Sequence, residues 1–100
     1  MTSSYLEIIC EEKVPVLSIG LGDPTNITEV AHSHNITVMT MVTTVDETIQ
    51  VVKGGTDIVV AQGAEAGGHR STFKLGSNNE APLVGTFALV PQIVVYHRCQ

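Results

Sequence analysis

Three glycines, a carboxylate, an imidazole and a guanidinium fall within Gln62-Gly63-Ala64-Glu65-Ala66-Gly67-Gly68-His69-Arg70-Ser71, directly behind the short apolar run Asp57 to Ala61. Glycine lets a backbone turn sharply or lets another molecule come close. A strand that ends in such a loop aims successive backbone N–H groups at one anion, usually a phosphate. His69 and Arg70, immediately after Gly67-Gly68, put further donors at the mouth of that cradle. Near neutral pH an imidazole gives or takes a proton, so His69 is the candidate catalytic group; the alternative is that it only orients the loop. Glu65 reads as a stabiliser of the loop rather than a base. Arg70 either holds an anionic substrate or is solvated, and the solvated reading is preferred.

The loop needs elements to position it. Met1 to Lys13 ends a helix or lead-in, with Leu6, Ile9 and Cys10 at helical spacing. Val14 to Ile19 is an apolar strand with Pro15 near its start, where a missing N–H is tolerated. In Gly20-Leu21-Gly22-Asp23-Pro24, Asp23 is the expected N-cap and Pro24 the first helical residue. Ile27, Val30 and Ala31 share one face of the helix that follows, which ends around His34-Asn35. Ile36 to Val42 is a second strand, apolar on both faces, as in parallel sheets covered by helices. Thr44 and Glu47 form a capping box, Val45, Ile49 and Val52 the stripe behind it, and Gly54-Gly55 the stop. Asp57 to Gln62 is the third strand. Arg70 to Ala81, centred on Gly76-Ser77-Asn78-Asn79, reads as an exposed excursion. Leu83 to Val95 reads as a helix that Pro91 starts or interrupts. The order βαβαβ, loop, α builds a parallel α/β sheet or barrel.

One hundred residues make one domain at most, and 43% hydrophobic with 15% charged residues fits a buried α/β unit. A net charge of −5 with five Lys and Arg excludes nucleic acid and anionic membranes as partners. No apolar run approaches the length of a membrane span. Cys10 and Cys99 lie near opposite ends without metal spacing, and Met1 to Ser4 is no leader, so both read as reduced thiols of a cytoplasmic protein. Without secretion, the glycosylation patterns at Asn26 and Asn35 carry no meaning. His32 and His34, two apart, point to different faces of a helix, so no metal is assigned.

The run Gly55-Thr56-Asp57-Ile58-Val59-Val60 and the glycine loop behind it resemble the nitronate monooxygenase family, formerly called 2-nitropropane dioxygenases. Its signature loop reads much like Ala-Gln-Gly-x-Glu-Ala-Gly-Gly-His-Arg, and the resemblance runs from about Val14 to Val94. It implies an FMN-dependent oxidoreductase on a TIM (β/α)₈ barrel that oxidises alkyl nitronates with O₂. A complete barrel takes about 250 residues, so residues 1–100 would hold roughly three consecutive βα units with parallel strands, and residues 96–100 an aberrant tail. The loops Gly20 to Asp23, Val42 to Thr44 and Gln62 to His69 would then share the C-terminal face where the family binds FMN. Gln62 and Gly67 would contact the flavin, with Gly63 and Gly68 giving close backbone approach. The partner implied is a small molecule, nitronate or nitroalkane; oligomeric state is left open.

The flavin-dependent enoyl-ACP reductases carry a similar loop, so an enoyl reductase-like reaction is one alternative. A non-catalytic fragment that keeps only the phosphate loop is another. Many bacterial members place a base histidine in a pattern like Val-Pro-Val-x-Ser-Phe-His-Phe-Gly. Here Val14-Pro15-Val16-Leu17-Ser18-Ile19-Gly20 puts Gly20 at that position. Glycine removes no proton, so the departure points to a nitronate, already an anion, rather than a neutral nitroalkane.

Overall fold

Three short strands, β1 (Val16–Ile19), β2 (Thr37–Val42) and β3 (Ile58–Ala61), lie side by side in chain order and run parallel. Helices α1 (Thr2–Glu11), α2 (Thr25–Ser33), α3 (Val45–Lys53) and α4 (Thr86–Arg98) alternate with them. This is the α/β arrangement of a partial TIM barrel. A computed structural model describes residues 2–20, 22, 24–73, 75 and 78–98. The expected Asp23 cap, the Gly76-Ser77 centre of the excursion and the Cys99 thiol lie outside the described residues.

Register follows from the alternation along β2. Val38, Thr40 and Val42 are buried while Thr37, Met39 and Met41 are half-buried. Leu17 pairs with Val38, and Thr40 with both Ile19 and Val59, so these side chains share the helix-covered face. Cys10, Ala31, Ile36 and Val38 form the core there, with Leu6, Ile9, Val14, Leu17 and Ile19 packed against it. The opposite face carries Val16, Met39 and Ile58, of which Val16 and Ile58 are exposed.

The connections after α2 and α3 end their helices in the same way. Gly55 takes φ +100°, its N–H reaches Val52 O at 3.1 Å, and Thr56 N–H reaches Val51 O at 3.0 Å. Asn35 does the same for α2 at φ 61°, with its N–H on His32 O and Ile36 N–H on Ala31 O, both at 3.0 Å. These are Schellman closures, in which a left-handed residue lets two otherwise orphaned carbonyls be satisfied.

Several expectations shift by a residue or so. Helix α2 begins at Thr25, with Pro24 preceding it at φ −90° rather than inside it. Its buried positions are Thr28 and Ala31, while Val30 is exposed. In α3 the buried row is Glu47, Thr48 and Val51, with Val45, Ile49 and Val52 half-buried. Helix α4 packs on α3 and β3 and shares clefts with Val45, Thr48 and Val52. Pro91 neither starts nor ends α4 but sits inside it. The hydrogen bond it cannot make is to the carbonyl of Phe87, a residue 97% exposed. Helix α4 runs on through Tyr96 to Arg98.

At the other end of the strands, Asp57 Oδ2 accepts from Val38 N–H at 2.8 Å and lies 2.7 Å from His32 Nε2. The Val38 N–H, then the His32 hydrogen bond and charge, hold the Asp57 carboxyl below its ordinary 3.8. A depressed carboxyl contributes stability above its unfolded pKa and loses it as pH falls through the folded value. Asp57→Asn is therefore expected to flatten the acid limb of the stability curve below about pH 3.8. The pair is about 40% exposed, so the loss near neutrality is about 1 kcal/mol or less. Chemical denaturation between pH 2 and 7 checks this; an unchanged acid limb in the variant would contradict it.

Candidate functional site

Because β1, β2 and β3 are parallel, the loops after them open on one side. The glycine loop leaves β3 through Gln62, which is 6% exposed and holds the loop by both ends of its amide. Its Nε2 donates to His69 O at 2.8 Å and its Oε1 accepts from Ser71 N–H at 2.8 Å. A buried carboxamide bonded this way fixes the two strands of the loop against each other.

Arg70 completes the brace. Its guanidinium donates to Gly63 O at 2.9 Å and to Gln62 O at 3.1 Å, and the residue is half-buried. The solvated reading is thus corrected: the fork geometry of arginine matches two successive carbonyls at the entry of the loop. Ser71 continues the anchoring, buried at 1% exposure, with its Oγ donating to Met41 O at 3.1 Å. The stretch behind Arg70 is therefore not an excursion from its first residue. Ser71 is buried, Thr72 and Phe73 are half-buried, and exposure begins only beyond them.

Gly63 is a point of close approach, but what approaches is the start of α4. A Cβ built there would collide with Thr86 Oγ1 and stand 2.8 Å from the Thr86 backbone nitrogen. Glu65 supports the same junction, its Oε1 accepting from Thr86 N–H at 3.0 Å. Its own backbone N–H, the Thr86 hydroxyl and N–H, and the charge of Arg70 lower the Glu65 pKa. A carboxylate so stabilised is a weak base, in keeping with a stabilising role, and what it stabilises is the start of α4.

Gly67 and Gly68 stand apart from this network. Both are exposed, neither has an atom within 4 Å of where a Cβ would stand, and neither N–H bonds to any described residue. Gly68 takes φ +80°, whereas Gly67 does not have a left-handed φ. His69 follows them, exposed at the same rim. Ala64 and Ala66 N–H groups are occupied, by Val84 O at 2.8 Å and Gly63 O at 3.1 Å. The Gly67 and Gly68 N–H groups are thus free at the exposed tip, where an anionic group has open access.

Glu47 is the residue the sequence undervalues. Thr44 Oγ1 accepts from Glu47 N–H at 3.1 Å, as a capping box requires. The Glu47 carboxylate, however, takes Thr43 N–H at 2.6 Å and the Thr43 hydroxyl at 2.8 Å on one oxygen, and Phe73 N–H at 2.9 Å on the other. The carboxylate thus goes to Thr43 rather than to the N-cap N–H of Thr44, and no local spacing announces its long-range partner Phe73. Among the described residues, no group of three His, Cys, Asp or Glu could hold a metal, and no helix is long and apolar enough to cross a membrane.

Comparison with known proteins places this geometry. The model of the nitronate monooxygenase family matches residues 2–98. A protein of Staphylococcus haemolyticus described as "Probable nitronate monooxygenase" is 45% identical over 92 residues, 91% of this chain and 26% of its own length. One of Staphylococcus aureus with the same description is 45% identical over 91 residues, 90% and 25% of the two chains. Among solved structures, a nitroalkane oxidase of Streptomyces ansochromogenes aligns with a TM-score of 0.85 at 27% identity, over 94% of this chain and 28% of that one. FabK of Thermotoga maritima aligns at 0.76 and 30% identity, over 91% and 26%. The chain thus spans about a quarter of the length of the curated relatives it matches.

Proposed function

The chain belongs to the nitronate monooxygenase family, and on that premise we propose that residues 1–100 are a segment of an FMN-binding barrel whose reaction is the oxidation of alkyl nitronates by O₂. The observation that carries this reading is the free tip of the loop, two exposed glycines with unpaired N–H groups at the C-terminal end of β3. FMN, when bound, supplies the acceptor for two electrons from the substrate.

The residues of this chain have distinct tasks in that reading. Gly67 and Gly68 would hold the phosphate with their N–H groups, and the absence of side chains would let it approach. Gln62 and Gly63 act from beneath: the Gln62 amide holds His69 O and Ser71 N–H, and Gly63 seats the loop on α4. Arg70, committed to two carbonyls, is not the residue that holds an anionic substrate. His69, exposed beside the glycines, is the side chain placed to hold or move a proton at its imidazole. Gly20, at the end of β1, offers no base. A nitronate lacks the proton that a base would have to remove, which favours it over the neutral nitroalkane as substrate.

The test is His69→Ala with this segment placed in a complete homologous barrel. Flavin retention is expected to persist while turnover of a nitronate, followed by oxygen consumption, falls about a hundredfold. Turnover at the unmodified rate would remove His69 from catalysis. NAD(P)H consumption without oxygen uptake would instead favour an enoyl reductase-like reaction.

A further inference from the structure

We propose that Glu47 is a positioning residue of the glycine loop: its buried carboxylate pins the exit of the loop at Phe73 to the end of β2 at Thr43, and so fixes where Gly67 and Gly68 stand. Glu47 is 7% exposed, and a carboxylate offers only acceptors. Three donors converge on it, the Thr43 N–H and hydroxyl from the end of β2 and the Phe73 N–H from 26 residues further along the chain. A cap serving α3 alone has no use for Phe73.

The other anchors show why the exit matters. At the entry, Arg70 grips the carbonyls of Gln62 and Gly63. Ser71 ties back to Gln62 through its N–H and to Met41 through its hydroxyl. Between these points the Gly67-Gly68 tip has no bond to any described residue, so its position is set by its anchors. Glu47 is the anchor that joins the loop after β3 to the loop after β2 through one side chain. Releasing it leaves Ser71 as the last tie of the loop's exit to Gln62 and β2, so the base that holds the glycine tip gains conformations to lose when an anion binds.

Glu47→Gln keeps the shape and removes the match. One end of a carboxamide accepts and the other donates, so whichever way it turns, an N–H faces an N–H. Exchange of the Phe73 amide in the chain without ligand should accelerate about tenfold or more, read by NMR. Val51→Ala, which removes core packing in the same helix without touching the loop, should accelerate exchange broadly instead. Equal acceleration at Phe73 in the two variants, at matched global stability, would overturn the proposal.

If Glu47→Gln does not fold, the clamp is tested from its other end. Phe73→Pro removes the N–H and Phe73→Ala keeps it. Loop exchange at Ser71 should rise in the first and not the second; equal behaviour would overturn the proposal. The flavin arm rests on the proposed function. FMN is expected to bind Glu47→Gln about tenfold more weakly than the unaltered chain, and equal affinity would overturn the positioning role. If the unaltered chain takes up no FMN, the functional reading fails while the exchange data still judge the clamp.

Discussion

Gly67→Val is expected to leave the chain folded and to abolish flavin uptake. Nothing lies within 4 Å of the added side chain, the residue is exposed, and its backbone is not left-handed. A β-branched side chain there has no steric quarrel with the protein itself. It would, however, cover the N–H groups of the loop tip and fill the space of an approaching phosphate. Loss of FMN affinity by about a hundredfold or more, read by flavin absorbance after gel filtration, should accompany an unchanged melting curve. Gly68→Val would be the less informative substitution, because φ +80° makes any side chain there strained whatever binds. A Gly67→Val protein that keeps its flavin would reduce the loop to a turn.

Gly63→Ala is expected to have the largest effect on stability. The new methyl would collide with Thr86 Oγ1 and press on the Thr86 backbone nitrogen at 2.8 Å, with Glu65 Oε1 at 2.5 Å. A side chain could swing aside, but the backbone of the first turn of α4 cannot yield without moving the helix. The cost is about 3 kcal/mol, at the upper end of overpacking, which lowers Tm by more than about 10 °C in a domain this small. Thermal unfolding followed by circular dichroism reads it directly. A variant melting within about 2 °C of the unaltered chain would show that α4 does not seat on Gly63.

The elements were legible because their signals are local. Alternation in Ile36 to Val42, the Thr44 cap and the glycine pair Gly54-Gly55 each act within a turn or a strand, and each stands where expected, to within a residue. Helix faces were read less well. Val30 and Val52 satisfy helical spacing, yet Thr28 and Thr48 are the buried residues, since contact with a neighbouring element decides which row turns inward. The Schellman residue Asn35 was visible only as a helix end, not as a left-handed position.

The candidate site divides the same way. The composition of the loop pointed to free backbone donors, and Gly67 and Gly68 supply them. The functions of Arg70, Ser71 and Glu47 lie in partners 7 to 30 residues away, at Gly63, Met41 and Phe73. An arginine beside two glycines looks solvated until the carbonyls it grips are known. A glutamate three residues after a threonine looks like a cap until the chain returns to it. Gly63 likewise suggested room for a ligand, whereas the space is taken by Thr86.

Titration of the unaltered chain with FMN, followed by the amide resonances of Gly67 and Gly68, tests the central claim most directly. The predicted result is saturable one-to-one uptake, with the largest shifts at those two amides and His69. A folded chain that takes up no FMN, or one whose shifts fall away from the loop tip, would contradict it.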